Sequence, residues 1–250
     1  MPKWILGGLL QVLGRLGVVV CGRICYNAHF YIEAGDRMQE RENTQVRIAI
    51  LFSGSGSNLE NIVAQQKDIA AALSPYHITP HIVLAISNSP SAYGIARCKR
   101  LGLECKVIDH RDFGSRALFD QALAQCLEGY HIDLVVLAGF MRILGEEFVE
   151  KFRAINIHPS FLPLHKGARA IADSFNGAEE FGGVSVHWVS LELDSGAIIL
   201  QEKLPKIAGE SLQDFESRIH FLEHKLYPKA IIEAIIQAFG SGAKTIGQER

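Results

Sequence analysis

The stretch Val46-Arg47-Ile48-Ala49-Ile50-Leu51-Phe52, followed at once by Ser53-Gly54-Ser55-Gly56-Ser57-Asn58, decides the fold. Its first seven residues are short, β-rich and almost wholly apolar, as in a strand buried on both faces of a parallel sheet. The glycine-rich turn ends that strand, and Leu59, Ile62, Val63 and Ile69 then recur at helical spacing. The alternation continues downstream. His81 to Ser87 reads as a strand, Ala92 to Leu101 as a helix closed by Gly102, and Glu104 to Ile108 as a short strand. Leu118 to Leu127 reads as a helix ended by Gly129, Leu134 to Ala138 as a strand, Glu146 to Phe152 as a helix, and Ala154 to Asn156 as a strand end. Such βα repetition predicts a mostly parallel sheet with helices on both faces. The tail differs. Gly183 to Val189 and Ala197 to Leu204 read as two strands joined by the turn 191–196, which suits an antiparallel C-terminal pair. Ser211 and Asp214 form a capping-box pattern ahead of a last helix, whose apolar face would be Leu212, Phe215, Ile219, Leu222 and Leu226.

Composition bounds the function. The 250 residues are 48% hydrophobic and 21% charged, which excludes wholesale disorder and fibrous repeats. A formal net charge of -2 supplies no global field for nucleic acid or an anionic membrane. Five cysteines, Cys21, Cys25, Cys98, Cys105 and Cys126, make neither a disulfide framework nor a C-x-x-C zinc pattern, so no metal is expected and a reducing cytoplasm is the simplest compartment. Residues 1–45 stand apart. They hold five of the 25 basic and four of the 27 acidic groups, leaving 20 and 23 on residues 46–250. Trp4 to Val20 is apolar, but Arg15 interrupts it, no A-x-A-like site follows, and Val18 to Val20 ahead of Cys21 make no lipobox. Residues 1–45 are therefore read as an N-terminal extension, with Met38 as an alternative start, and 46–250 as the folded domain.

Three constellations carry candidate chemistry. Glycines between a strand and a helix let backbone N–H groups approach an anion, so 54–58 is either a phosphate cradle or simply a tight, capped turn. Gly54-x-Gly56-x-x-Leu59 lacks the third glycine of a dinucleotide fingerprint. Asn156-Ile157-His158-Pro159 follows a strand, where open α/β sheets place ligands. Two apart in extended chain, Asn156 and His158 share a side, and an amide and an imidazolium aimed at one oxygen suit a carbonyl gaining negative charge. Asp194 sits in the late turn. It is either an Asx-turn residue or a carboxylate that orients His158 and favours its charged form.

In family order, the pieces SGSGSN (53–58), VVLAGFMRIL (135–144), INIHPSFLP (155–163), SVHWV (185–189), ELDSGAIILQ (192–201) and EHKLYP (223–228) are highly specific. From about Arg47 to Ala238 the chain resembles the phosphoribosylglycinamide formyltransferases, folate-dependent enzymes of purine biosynthesis. The resemblance implies the formyltransferase α/β fold with a mostly parallel, Rossmann-like sheet. It implies transfer of a formyl group from 10-formyltetrahydrofolate to the glycinamide amine. Asn156, His158 and Asp194 match the catalytic trio. Gly56, Ser57, Asn58 and Glu223 match the side that holds the ribonucleotide. Arg116, Met141, Arg142, Ile143 and Leu144 match the folate side, as do Asn156, Ser190 and Asp194. From the residues alone, Ser185 and His187 alternate on one face of a strand, where they read as packing or as support behind the trio. The partners expected are small molecules, without nucleic acid or membrane, for a monomer or homodimer.

Two departures stand out. Where many relatives have a Pro-Gly turn and histidines, this chain reads Leu164-His165-Lys166-Gly167-Ala168-Arg169-Ala170, and the common Leu-Asp-Gly-Gly reads Leu193-Asp194-Ser195-Gly196 here. Among rivals on the same fold, a methionyl-tRNA formyltransferase would add a C-terminal domain and basic surfaces, whereas residues 46–250 carry a net charge of -3 and close after the last helix. A formyltetrahydrofolate deformylase would carry a larger N-terminal regulatory domain, and a sugar-nucleotide formyltransferase fits SGSGSN less well. A non-catalytic nucleotide-binding module or a dinucleotide-dependent oxidoreductase is the alternative of a different class.

Overall fold

The computed structural model describes residues 43–240. The apolar run of residues 1–20, with Cys21 and Cys25, lies outside the described residues. Among those described, Cys98, Cys105 and Cys126 are free thiols, and no helix is long and apolar enough to cross a membrane.

Seven strands form one sheet in the order β3-β2-β1-β4-β5-β6-β7. They are β1 (Thr44–Phe52), β2 (Ile78–Ser87), β3 (Cys105–Val107), β4 (Leu134–Leu137), β5 (Ala154–His158), β6 (Phe181–Trp188) and β7 (Ile198–Pro205). The first five run parallel, and β6 is antiparallel to both β5 and β7. The helices are α1 (Ser57–Ala64), α2 (Gln66–Leu73), α3 (Gly94–Leu101), α4 (Arg116–Gly129), α5 (Glu146–Lys151), α6 (Ala170–Asn176) and α7 (Leu212–Phe239). The expected mostly parallel α/β sheet, with its antiparallel C-terminal pair, is what the chain adopts.

The period of two along β1 divides the core. Ile48, Ile50 and Phe52 pack on one face with Leu59, Ile62 and Ile69, and with Phe215, Ile219, Tyr227 and Ile231 of α7. Ala49 and Leu51 point the other way, into a second core with Phe119, Leu123 and Leu127 of α4 and Phe148 of α5. Both faces of β1 are buried, which is why its sequence shows no polar alternation after Arg47.

Several element ends differ from the sequence reading. The first helical pattern is two helices, broken at Gln65, whose N–H donates to the Asn61 carbonyl at 3.1 Å. Gly129 is the last helical residue rather than the breaker. The left-handed turn falls at His131 (φ 50°), so that Ile132 N–H can reach back to the Leu127 carbonyl. Strand β5 runs on to His158, which is its last residue rather than one beyond it. Helix α6 has no counterpart in the reading. The Ser211–Asp214 capping box is formed, and Phe215, Ile219, Leu222 and Leu226 are buried as expected, but Leu212 is exposed.

One hydroxyl fastens α7 to the sheet. Fully buried Tyr227 donates through its Oη to the Leu137 carbonyl at 2.8 Å, at the end of β4. Tyr227→Phe removes that donor and keeps the ring, so it should lower unfolding stability by about 1–2 kcal/mol in urea titration, with the denaturant slope unchanged. An unaltered midpoint would show that the bond contributes nothing net.

Candidate active site

Connections leave β1 towards β2 on one side and β4 towards β5 on the other, so the strand order reverses between β1 and β4. Ligands in open α/β sheets bind outside the carboxyl ends of strands at such a point. Here the turn after β1 meets the turn after β4. Ser53 N–H donates to the Gly139 carbonyl at 3.0 Å, and Met141 N–H donates to Ser53 Oγ at 2.7 Å. A cleft of about 630 Å³ opens there. Its walls include Ser53 to Asn58, Gly139 and Met141, segment 168–172, and His220 and Glu223 of α7.

The turn is shaped for close backbone approach. Gly56 caps α1 in the left-handed region (φ 71°), and a Cβ there would lie 2.7 Å from Gly94 Cα. Arg97, which the sequence reading missed, donates from Nε to the Ser55 carbonyl at 2.9 Å and pairs with Glu60. Its spacing from the turn, 42 residues on, holds no signal. Asn58 Nδ2 donates to Glu223 Oε2 at 3.3 Å, while Asn58 Oδ1 is buried without a hydrogen-bond partner among the described residues. Glu223 also lies 2.8 Å from His220 Nδ1, and this contact with Glu223 chiefly holds the His220 ring above its ordinary range. Thus Asn58 and Glu223, 165 residues apart, meet beside the glycine turn.

A second cluster forms at the β5–β6 seam. The register sets Asn156 opposite His187 and His158 opposite Ser185. His158 Nδ1 lies 3.4 Å from Asp194 Oδ2, and its Nε2 lies 2.9 Å from the His165 carbonyl oxygen. Both neighbours only accept, so the imidazolium form satisfies both ring nitrogens. His187 Nδ1 faces the Trp188 carbonyl at 2.8 Å and must donate to it. Its Nε2 then either accepts from Asn156 Nδ2 at 3.3 Å or, when protonated, faces Asp194 Oδ1 at 3.6 Å. Asn156, His158, His187 and Asp194 are therefore one connected group. His187 bridges two members of the trio, a supporting contact rather than packing alone.

The Asp194 loop is held by geometry. Asp194 adopts φ 50°, and Gly167 N–H donates to its Oδ2 at 2.9 Å. A Cβ on Gly196 would stand 1.7 Å from the Trp188 carbonyl oxygen, so only glycine lets this loop fold back onto β6. Among the described residues, Ser185 makes no Oγ hydrogen bond to Asn156, His158 or Asp194. Its Oγ donates to the Ser160 carbonyl and accepts from Leu162 N–H and Gln201 Nε2, fixing the turn that follows His158. The trio does not line the 630 Å³ cleft, although Ile157 and Pro159 beside it do.

On the expected folate side, Met141 (69% exposed) and Ile143 (53% exposed) project outward, while Leu144 is buried. Arg142 is half-buried with its Nε enclosed, not the exposed arginine of an ordinary core turn. Arg116 is exposed at the start of α4, and Ser190 Oγ donates to the Glu192 carbonyl within the Asp194 loop. Histidines with no partner readable from spacing acquire them here, among them His110 against Asn88 and His165 against Glu179.

The fold is that of a formyl-group transferase, and residues 46–231 match the formyl transferase family model: the chain belongs to that family. Relatives of similar size include phosphoribosylglycinamide formyltransferases. That of Escherichia coli K12 is 37% identical over 188 residues, covering 74% of this chain and 85% of its own. The crystal structure of the Campylobacter jejuni phosphoribosylglycinamide formyltransferase superposes with a TM-score of 0.69 at 44% identity, covering 77% of this chain and 98% of that one. The trifunctional purine biosynthetic protein adenosine-3 of Gallus gallus is 37% identical over 209 residues, 83% of this chain. The chain spans only about a fifth of that trifunctional protein's length (20%).

Burial pushes the Asp194 carboxyl up, but the His187 contact, the Gly167 N–H and the charges of His158 and His187 outweigh it and hold it below its ordinary range. A depressed folded-state value gives stability that is present above the unfolded aspartate range and lost as pH falls through the lowered value. The urea midpoint of the wild type should therefore fall between neutral pH and about pH 3, and Asp194→Asn should show a smaller fall over the same window. Equal losses in the two proteins would remove Asp194 from the acid limb.

Proposed function

We propose that the chain transfers the formyl group of 10-formyltetrahydrofolate to the glycinamide amine of N1-(5-phosphoribosyl)glycinamide, a step of de novo purine (IMP) biosynthesis. The single observation that carries the reading is the joined group Asn156, His158 and Asp194 beside a cleft that opens on a glycine turn. In this reading residues 46–250 are the formyltransferase domain. The chain works on small molecules in the cytoplasm as a monomer or homodimer, and needs no metal, nucleic acid or membrane.

The donor set fits both substrates. Backbone N–H groups of Gly56, Ser57 and Asn58 at the α1 N-terminus hold the phosphate. Glu223, braced by Asn58 and His220, takes the polar groups of the same substrate. Met141 and Ile143 offer apolar surface to the folate ring system, and Arg116, Arg142, the 141–144 backbone and the Ser190–Asp194 loop offer charge and hydrogen bonds around it.

The amine nitrogen forms a bond to the formyl carbon, the carbon–N10 bond of the folate breaks, and the amine proton passes to the departing nitrogen. Asn156 Nδ2 and a His158 ring N–H donate to the formyl oxygen as it gains charge. For this, His158 exchanges its contact with the His165 carbonyl for the substrate oxygen. Asp194 stabilises the imidazolium and helps move the proton towards the folate nitrogen. Holding both substrates in one cleft supplies much of the remaining rate by proximity.

Purified protein should release tetrahydrofolate from 10-formyltetrahydrofolate only when the ribonucleotide is present. Release independent of the ribonucleotide would point to a deformylase instead. His158→Ala and Asp194→Asn should each lower kcat by roughly 10²–10⁴-fold in that assay. Near-normal turnover in either variant would remove that residue from its role.

A further inference from the structure

Asp120 lies on α4, outside the residues used above, and is only 6% exposed. Its Oδ2 accepts from the Gly145 N–H at 2.8 Å. Gly145 closes the segment Met141–Leu144 and caps α5. The contact is tight from both sides. A Cβ on Gly145 would stand 2.9 Å from Asp120 Oδ2 and 4.0 Å from Arg116 Nε. At φ -84° and ψ 175° the backbone of residue 145 is open to any amino acid, so the carboxylate is what excludes a side chain there.

Two more observations concern the same corner. Asp120 Oδ1 and Arg142 Nε are both buried and lack hydrogen-bond partners among the described residues. Burial pushes the Asp120 carboxyl above its ordinary range, against the Gly145 hydrogen bond and the charges of Arg116 and Arg142. A buried carboxylate is costly unless it holds something in place. The only backbone group it holds among the described residues ends the one segment that presents exposed Met141 and Ile143 beside the cleft.

We propose that Asp120 is a positioning residue for the folate: through Gly145 it fixes the end of the 141–145 segment, and so the placement of Met141, Arg142 and Ile143 against that substrate. The inference rests on the assignment of this segment to folate in the proposed function. Asp120 touches neither substrate, so its removal loosens one binding surface and leaves the glycine turn, Glu223 and the His158 group unchanged.

The test uses the full chain. Tetrahydrofolate binding is measured by calorimetry, and KM for each substrate is measured in the transfer assay. Asp120→Ala should raise the tetrahydrofolate Kd and the folate KM roughly tenfold, the scale of a lost hydrogen bond to a charged group, while the ribonucleotide KM and kcat stay near wild type. Asp120→Asn keeps a carbonyl acceptor for Gly145 N–H and should restore most of that loss. Gly145→Ala leaves α4 intact, crowds Oδ2 from the other side, and should weaken tetrahydrofolate in the same way. This second variant carries the test if Asp120→Ala does not fold. Wild-type tetrahydrofolate affinity in Asp120→Ala or Gly145→Ala would overturn the inference, as would equal rises in both KM values or an asparagine variant no better than alanine. A wild-type chain that binds no tetrahydrofolate would sink the proposed function itself, a result distinct from any of these.

Discussion

An ionised carboxylate inside a protein has to be compensated on several sides, and the antiparallel half of this molecule is arranged around one such group. Asp194 receives the Gly167 N–H on Oδ2, His158 beside the same oxygen and His187 beside Oδ1. Each partner imposes a condition elsewhere. His187 must stand opposite Asn156, which fixes the β5–β6 register, since a one-residue slip would send His187 to the opposite face. Gly196 must be glycine so that the loop can close on the Trp188 carbonyl. Segment 164–170 must lie over the pair, because it supplies both the Gly167 N–H and the His165 carbonyl. The departures from the family's usual Pro-Gly turn therefore fall on a segment whose backbone meets Asp194 and His158.

The sheet divides the work. Its parallel half ends in turns that offer backbone groups, and the β1–β4 switch point brings two of them together through Ser53. Its antiparallel half offers side chains, because reversing β6 sets two polar residues, His187 and Ser185, directly across from the two polar residues of β5. Helix α7 joins the halves. Its buried face packs under β1 through Phe215 and Ile231, Tyr227 fastens it to β4, and Glu223 on the same helix reaches the glycine turn through Asn58.

The parts legible in sequence were those encoded by local period. Val46 to Phe52 and Leu134 to Leu137 read as buried strands because both faces are covered, and Ser211 with Asp214 marked the start of α7 because a capping box is a local bond. The glycine turn and the Asn-x-His spacing were legible for the same reason. What escaped depends on partners far along the chain. Asp120 and Gly145 lie 25 residues apart, Arg97 and Ser55 lie 42 apart, and their residue types carry no mark of the contact. For His187, packing and support could not be told apart, because strand alternation gives only its face, whereas its contacts come from the register with Asn156. Helix α6 was missed because Ala170 to Asn176 spans barely two turns, too few for a 3.6-residue period to show.

The near-neutral charge of the chain follows from the same economy of pairing. The cations around the cleft are already engaged: Arg97 and Arg100 share Glu60, and His220 leans on Glu223. Among the described residues, Arg169 also lines the cleft, and it pairs with Asp173. In the proposed function, recognition of the phosphate falls to short-range donors, the N–H groups at the start of α1, whose effect fades within a turn of helix and requires close contact. Such a site selects by fit, because a phosphate must reach the backbone over Gly56 before it gains anything. A broad positive field would also draw in nucleic acids and other polyanions, and a net charge of -2 avoids that competition. The charge balance read at the level of composition is thus the large-scale counterpart of a site built from backbone dipoles and internally paired side chains.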